Sequence, residues 1–324
     1  MRVDERRRLG GSAVEVTALS LGGAALGGLY APVSGAAAAA TVARALRRGL
    51  RHLDTAPHYG AGTSERRLGA AVRAVAGEVV VSTKAGRLLV PRGPGEPPDD
   101  AGFPGEPEFR RVWDFSADGV RRSLSESLDR LGLDRVDVVY LHDPDDHEEQ
   151  VYAEAYPALA RLRDEGAVGA IGAGMNQAAM LARFVRRLDL DVVLCAGRYT
   201  LLDRSAEADL LPACLERGTS VVAGGVFNSG LLAGGTTYDY APAPPRLLAE
   251  AERLRAVCAG HGVPLRAAAV QFAARHPAVA SVLVGCRTPA EVDDNADSFE
   301  RDIPGALWTE LEAEPEAEPE GGRS

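Results

Sequence analysis

Four side chains with complementary acid–base chemistry stand out in the sequence: a carboxylate, a phenol, an ammonium and an imidazole. They are Asp54, Tyr59, Lys84 and His142, and each lies at or just after the end of a short apolar segment. The pKa of a tyrosine is about 10, too high for proton transfer at neutral pH, and a nearby ammonium lowers it by stabilising the phenolate. A carboxylate would hold that ammonium in place, and an imidazole would orient a carbonyl or an alcohol. The set suits proton transfer at the oxygen of a C=O/C–OH couple. The accompanying hydride would be transferred by a group other than these four side chains.

Lys84 is unusual because it is the single lysine of the chain, the other 35 of the 36 basic side chains being arginine. Lysine is a compact donor whose own proton can move, which suits this chemistry better than arginine does. Structural interpretations stay open for the others: Asp54 as a helix cap, Tyr59 as loop packing and His142 as a buried structural residue. A Schiff-base aldolase with Lys84 as nucleophile is a further alternative.

Short β-branched or apolar segments alternate with amphipathic segments along most of the chain. The predicted strands are 18–21, 51–54, 79–83, 136–141, 168–171, 191–195, 220–223 and 281–284. The predicted helices are 36–49, 64–76, 117–131, 149–165, 176–188, 205–217, 246–260 and 288–298, with another near 265–275. Eight such repeats predict an α/β fold of parallel strands closed into a (β/α)8 TIM barrel, with a short N-terminal hairpin. No G-x-G-x-x-G motif follows a strand, which counts against an open dinucleotide-binding sheet.

Two long segments rich in Gly and Pro, 85–115 and 224–245, follow the third and seventh predicted strands. Long loops after barrel strands lie at the C-terminal face, where barrel active sites form. We predict a single barrel domain over residues 1–308. Residues 309–324 hold six Glu and one Arg, which predicts a disordered acidic tail.

Charge and cysteine patterns exclude several classes of protein. The net charge is −10 and basic side chains are scattered, so we expect no nucleic-acid partner. The four cysteines lack metal-ligand spacing and are predicted to be reduced thiols of a cytoplasmic protein; they are Cys195, Cys214, Cys258 and Cys286. Residues 16–43 carry no charge and could span a bilayer by length, but their Gly and Ala content predicts no membrane segment.

Six motifs in order along the chain point to a known superfamily. They are Asp54–Gly60 (DTAPHYG), Ser64-Glu65, Leu68-Gly69, Ser82–Lys84 (STK), Val138–His142 (VVYLH) and Gly172–Asn176 (GAGMN). From about residue 8 to 300 the chain resembles the aldo-keto reductase superfamily. The resemblance implies that the four side chains above form a catalytic tetrad, with Tyr59 as general acid/base.

Four further motifs resemble one branch of that superfamily, the aldose 1-dehydrogenases, which include D-threo-aldose (L-fucose) and L-galactose dehydrogenases. They are Trp113–Ser116 (WDFS), His142–Pro144 (HDP), Gly197–Asp203 (GRYTLLD) and Phe227–Leu232 (FNSGLL). The resemblance implies NAD(P)-dependent oxidation of a free aldose at C1 to its lactone. A broad-specificity aldehyde or pyridoxal-type oxidoreductase is the alternative on the same scaffold. A cofactor-sensing binding subunit without significant turnover is the alternative of another class.

The resemblance also implies a nicotinamide cofactor and its contacts. The implied contacts are Asn176 for the nicotinamide, Phe227, Asn228, Ser229, Gly230 and Leu232 for the pyrophosphate, and Gly285, Arg287, Glu291, Asp294 and Asn295 for the adenosine end. Glu291 stands where many NADP-using members carry a basic residue. Because a carboxylate would repel a 2′-phosphate, we predict that NAD is preferred over NADP.

Two positions depart from the superfamily pattern. Gly224 or Gly225 replaces the aromatic residue expected against the nicotinamide, and the glutamine expected before Tyr199 is absent, so cofactor packing should differ. Candidate contacts to a small sugar or aldehyde substrate are Tyr30, Phe103, Trp113 and Arg198.

Overall fold

The computed structural model describes residues 1–75, 78–97, 102–103 and 108–312. Short apolar segments form its strands, since β-branched side chains pack well on a pleated surface. In chain order the strands of these residues are β1 (Arg6–Arg8), β2 (Glu15–Thr17), β3 (Leu19–Gly22), β4 (His52–Asp54), β5 (Val80–Ala85), β6 (Arg87–Pro91), β7 (Phe109–Trp113), β8 (Val138–His142), β9 (Ala170–Met175), β10 (Val192–Ala196), β11 (Ser220–Gly224), β12 (Thr237–Tyr238), β13 (Ala241–Pro242) and β14 (Val279–Gly285).

The helices follow the predicted order closely. They are α1 (Gly35–Arg47), α2 (Thr63–Arg73), α3 (Ala117–Leu131), α4 (Glu148–Gln150), α5 (Tyr156–Asp164), α6 (Ala178–Arg187), α7 (Leu210–Arg217), α8 (Pro245–Gly260), α9 (Leu265–Ala273), α10 (Pro289–Glu300) and α11 (Gly305–Glu312). The predicted end of the second helix, at residue 76, lies outside the described residues. Helix α3 is capped by Gly132, which follows Leu131 and whose φ of +62° is the left-handed conformation that glycine favours.

Eight parallel strands close into a barrel in the order β3-β4-β5-β8-β9-β10-β11-β14, and each predicted strand overlaps one of them. Closure is made by β14 against β3, where Gly285 pairs with Gly22. A closed barrel leaves no unpaired edge, and its helices cover the outside of the parallel sheet. The predicted (β/α)8 fold is therefore confirmed.

The N-terminal hairpin closes one end of the barrel. Strands β1 and β2 pair antiparallel, as predicted, and the cluster inside the barrel contains the fully buried Leu9, which follows β1, and Val16 of β2. That cluster also contains Tyr140 and Leu194 from the barrel strands. With one end filled, the carboxyl ends of the strands at the other end are left to form a site.

Three local predictions need correction. The segment 85–115 contains an antiparallel hairpin, β6 with β7, and 224–245 contains a shorter one, β12 with β13; both were expected to be irregular. Residues 98–101 and 104–107 of the first segment lie outside the described residues. The predicted helix 149–165 is interrupted by a π-helical turn over Val151–Ala155. The next residue but one, Pro157, has no N–H to continue regular α-helical hydrogen bonding.

The predicted start of the acidic tail is also wrong. Residue 308 falls inside α11, which packs against α8 and buries Leu307 and Leu311. Apolar side chains at four-residue spacing extend the folded region to Glu312, and residues 313–324 lie outside the described part of the chain.

The uncharged stretch 16–43 folds into β3, a 3-10 turn at Ala25–Gly27 and most of α1. Among the described residues, none of the helices combines the length and the apolar character needed to cross a bilayer. All four cysteines are buried and unpaired.

Candidate active site

The structure brings the four acid–base side chains together at the carboxyl end of the barrel. Asp54 ends β4, Lys84 lies in β5 and His142 ends β8, and these three strands are neighbours in the barrel. Tyr59 lies in the turn that follows β4. Side chains alternate along a strand, so these residues reach one mouth only if neighbouring strands pair in the right register. Between β5 and β8 the register is set by the parallel pairing of Lys84 with Tyr140.

Lys84 forms a buried ion pair with Asp54. Its Nζ lies 2.5 Å from Asp54 Oδ2 and donates to the carbonyl oxygen of Thr55 at 2.9 Å. The Lys84 side chain is 2% exposed and that of Asp54 is 1% exposed. Burial alone would lower the pKa of Lys84, but the Asp54 carboxylate and Tyr59 outweigh it and raise that pKa above its ordinary value. Lys84 is therefore a fixed cation, which disfavours the Schiff-base alternative because a nucleophilic lysine must lose its proton.

The pKa of Tyr59 corrects a prediction. The nearby ammonium was expected to lower this pKa toward the range for proton transfer at neutral pH, whereas in the structure burial raises the pKa of Tyr59 above its ordinary value. Lys84, whose Nζ lies 4.8 Å from the centre of the tyrosine ring, lowers it, and Asp54 raises it. Lys84 thus offsets a cost of burial instead of producing an unusually acidic phenol.

His142 is a neutral imidazole in this site. Burial, together with the positive charges of Arg87 and Lys84, lowers its pKa well below the usual value. Its ring centre lies 5.8 Å from that of Tyr59, nearly perpendicular to it. A neutral imidazole can donate one hydrogen bond to a substrate oxygen without adding charge.

A chain of hydrogen bonds behind Asp54 was missed by the sequence reasoning. Ser82 Oγ donates to Asp54 Oδ1 at 2.7 Å and bonds His52 Nε2 at 3.0 Å, while His52 Nδ1 bonds Ser20 Oγ at 3.0 Å. Burial lowers the pKa of His52 to about 4. The signal was available, since His52 and Ser82 precede Asp54 and Lys84 by two residues and so share their faces of β4 and β5.

A cleft of about 510 Å³ runs from the acid–base residues to the N-terminal end of α10. The backbone of Gly22, Gly23, Gly224 and Gly225 forms part of its wall, where no side chain would obstruct a planar ligand. Seven of the predicted cofactor and substrate contacts line this cleft: Tyr30, Phe227, Ser229, Gly230, Gly285, Arg287 and Glu291.

The remaining predicted cofactor contacts lie beside the cleft. Asn228, Leu232 and Asn295 are buried, and Asn228 Oδ1 is an acceptor without a partner among the described residues. Asn176 directly follows β9. The shape, the exposed glycine backbone and the unpaired amide oxygen fit an extended dinucleotide, which would lie along Phe227–Gly230 toward Arg287 and Glu291.

Two ion pairs neutralise the far end of the cleft. Glu291 Oε2 accepts from the Arg287 backbone N–H at 2.8 Å, and its Oε1 lies 3.3 Å from the Arg287 guanidinium. Arg266, which sequence reasoning missed, lies over the ring of Phe227 at 5.1 Å and pairs with Asp294 at 2.5 Å. The two arginines are therefore each matched by a carboxylate, which leaves no net positive charge in this group for a phosphate.

The predicted substrate contacts fall in different places. Tyr30 stacks on Tyr240 with ring centres 6.1 Å apart, and both line the cleft mouth. Trp113 ends β7 and is 44% exposed. Phe103 is buried against His58.

Arg198 does not line the cleft. Its guanidinium pairs with Asp239 at 2.8 Å and donates to the Asn176 carbonyl oxygen at 2.8 Å. Arg198 therefore connects the turn between β12 and β13 to the end of β9. These contacts use most of the hydrogen-bond donors of its guanidinium, so few remain for a substrate.

Comparison with known proteins agrees with this geometry. A model described as the aldo/keto reductase family matches residues 18–313. D-threo-aldose 1-dehydrogenase of a Pseudomonas species is 46% identical, covering 91% of this chain and 93% of the relative. Pyridoxal 4-dehydrogenase of Microbacterium luteolum is 41% identical, covering 97% and 98%. The solved glycerol dehydrogenase of Gluconobacter oxydans superimposes with a TM-score of 0.76 at 23% identity, covering 96% of this chain and 94% of that one, which shows the shared fold.

Proposed function

The chain belongs to the aldo/keto reductase family, and we propose that it oxidises a free aldose at C1 to the corresponding lactone. The observation that carries the proposal is the buried Lys84–Asp54 pair beside Tyr59 and His142, at one end of a cleft that fits a dinucleotide. This family uses nicotinamide cofactors, which accept hydride from the carbon that is oxidised. The remaining chemistry, transfer of the hydroxyl proton, falls to residues of this chain.

Tyr59 is the proposed general base. Its phenolate takes the proton of the C1 hydroxyl, and the oxygen that loses this proton becomes the lactone carbonyl. The Lys84 ammonium stabilises the phenolate, Asp54 holds the ammonium in place, and neutral His142 donates a hydrogen bond to the reacting oxygen. In the reverse direction Tyr59 donates the proton to a carbonyl. Acid–base assistance of this kind contributes roughly 10²–10⁴-fold in rate, and positioning in the cleft supplies the rest.

An aldose is supported by two observations. The 46% identical relative carries the name D-threo-aldose 1-dehydrogenase, and the identity extends over nine-tenths of both chains. The mouth of the cleft also presents aromatic surface at Tyr30 and Tyr240, which are both exposed. Aromatic faces with a polar neighbourhood suit the C–H face of a sugar while leaving its hydroxyls free for hydrogen bonds.

We further propose that NAD is preferred over NADP. Glu291 lines the cleft near its far end, and the Arg287 guanidinium is already paired with it. A 2′-phosphate would have to displace that pair and approach the carboxylate, whereas a ribose hydroxyl could donate to it.

The test is a screen of free aldoses with NAD and NADP, followed by nicotinamide absorbance, in which wild-type protein is compared with Tyr59→Phe. We expect lactone formation from L-fucose-type sugars with NAD, and a turnover at least about 10²-fold lower in Y59F with cofactor binding near wild type. An unchanged turnover number in Y59F would refute the role of Tyr59. Absence of lactone from every aldose would refute the substrate class.

A pyridoxal-type oxidoreductase is the second candidate, because the 41% identical relative named pyridoxal 4-dehydrogenase matches almost the whole of both chains. Pyridoxal and simple aldehydes therefore belong in the same screen. A kcat/KM for pyridoxal above that for every aldose would favour this candidate. A cofactor-sensing subunit is disfavoured by the complete acid–base set, and turnover of the isolated protein would exclude it.

A further inference from the structure

Three buried nitrogen atoms around Tyr59 have no hydrogen-bond partner among the described residues. They are Nδ1 of His58, Nδ1 of His142 and Nε of Arg87. A buried polar atom without a partner loses its interaction with water and gains nothing in return. Such atoms are rare in folded proteins, and those of His58 and Arg87 belong to residues that the acid–base mechanism does not use.

His58 is held rigidly next to the acid–base residues. Its ring lies edge-on to Phe103, with centres 5.3 Å apart, and its centre is 5.7 Å from that of His142. Its backbone carbonyl oxygen accepts two hydrogen bonds from Arg111, at 3.2 Å and 3.0 Å. Burial, with the nearby positive charge of Arg87, lowers the pKa of His58 to about 2, so the imidazole stays neutral. It therefore offers one donor and one acceptor at a fixed place.

Arg87 approaches the same region from β6. Its guanidinium lies 4.0 Å from the centre of the Trp113 ring and forms an ion pair with Asp143. The Arg87 side chain is 12% exposed, while that of Asp143 is 31% exposed and 3.5 Å from His142 Nε2. Asp143 has a φ of +43°, an uncommon backbone conformation for a residue other than glycine.

Donors and acceptors are both present in this group. The neutral imidazole of His58 supplies either, Arg87 Nε supplies a donor, and the Asp143 carboxylate supplies acceptors. A hydroxyl group is itself both a donor and an acceptor, so neighbouring hydroxyls of one substrate can bond His58 Nδ1, Arg87 Nε and the Asp143 carboxylate. A hydrocarbon chain would leave the two nitrogen atoms without a partner.

We propose that His58, Arg87 and Asp143 form a polyol subsite that binds the hydroxyl groups next to the reacting carbon and so selects hydroxylated substrates over plain aldehydes. The proposal deepens the proposed function and rests on its acid–base site. It differs from that function in assigning recognition to residues that take no part in proton transfer.

The test compares the NADH-dependent reduction of glyceraldehyde with that of propanal, which has the same carbon chain without the hydroxyls. The variants are Arg87→Lys, which removes the Nε donor but keeps the positive charge near His142, and His58→Phe, which keeps a ring against Phe103. Each is expected to lower kcat/KM for glyceraldehyde by about 10–100-fold, the usual effect of losing hydrogen bonds to charged or buried partners. The value for propanal should change by less than about 3-fold, which is the limit expected when no hydrogen bond is lost.

Arg110→Lys is the matched control, because Arg110 lies in the neighbouring strand of the same hairpin and pairs with Glu96 at 3.4 Å, away from His58. It should leave the glyceraldehyde-to-propanal ratio unchanged. NADH binding, followed by fluorescence, should stay near wild type in all three variants.

Two results would overturn the subsite: a wild-type protein that reduces glyceraldehyde no better than propanal, or variants that slow both aldehydes equally. Failure to oxidise any free aldose would count against the proposed function alone, because the aldehyde comparison does not depend on it.

Discussion

Replacing Lys84 by methionine tests the electrostatic part of the site most directly. Methionine keeps the length of the side chain but removes the ammonium that lies 4.8 Å from the ring centre of Tyr59. At an effective dielectric constant of about 20, two unit charges at this distance interact by about 3.5 kcal/mol. That corresponds to about 2.5 pH units in the pKa of Tyr59, or about 300-fold in the phenolate population at a given pH.

The direction of the effect follows from the state of Tyr59. Burial already raises the pKa of this phenol, and Lys84 lowers it. Without the ammonium the pKa rises further, so oxidation, which requires the phenolate, should reach its full rate only at higher pH. The rising limb of the kcat profile, where the rate increases as the phenolate forms, should shift upward by about 2.5 pH units, with turnover at neutral pH reduced by about 300-fold.

Lys84→Arg separates charge from shape. The guanidinium keeps the positive charge, but it is larger than an ammonium that is 2% exposed and in contact with Asp54 and Thr55. Overfilling a packed site costs about 1–3 kcal/mol. We expect a folded protein with turnover reduced by about 10-fold or more, and a pH profile shifted less than that of Lys84→Met.

The assay is nicotinamide absorbance with a saturating aldose between about pH 6 and 10, with urea unfolding on the same samples. Unfolding is needed because removing Lys84 leaves the buried Asp54 carboxylate without its counter-charge, which costs about 3–5 kcal/mol of stability. A Lys84→Met profile that superimposes on that of wild type would refute the electrostatic reasoning. Full activity of Lys84→Arg would show that the single lysine is an accident of composition.

Three further outcomes are expected. Glu291→Gln should raise kcat/KM with NADP about 5-fold relative to NAD, because about 1 kcal/mol of repulsion is removed at this partly exposed carboxylate; an unchanged ratio would contradict the cofactor proposal. Gly27→Ala should lower both turnover and the melting temperature, since its Cβ would lie 2.7 Å from the carbonyl carbon of Tyr59, whereas Gly35→Ala, with open space around it, should do neither. Lowering the pH from 7 to 5 should cost about 2 kcal/mol in the free energy of unfolding from His52 alone, because its folded pKa of about 4 lies below the unfolded value of 6.5 and the unfolded chain binds the proton first. His52→Gln should flatten that part of the urea-unfolding profile, and an equally steep dependence would assign the loss to other groups.

The sequence by itself determined the order of strands and helices and the four candidate acid–base residues. Both are local properties: a strand such as β8 or a helix such as α3 is recognised from the spacing of its own apolar residues. Asp54, Tyr59, Lys84 and His142 could be singled out because parallel strands end at one face, so their chain positions imply a common mouth.

The tertiary structure decided everything that depends on distance between separate segments. Only the packed barrel shows that burial outweighs Lys84 in setting the pKa of Tyr59, since desolvation depends on all neighbours and not on one partner. Arg266 and His58 were likewise unremarkable along the chain, one within an alanine-rich helix and the other beside a tyrosine. The position of Arg266 at the cleft and of His58 beside His142 depends on contacts between segments that lie far apart in the chain, and no periodicity within a segment encodes them.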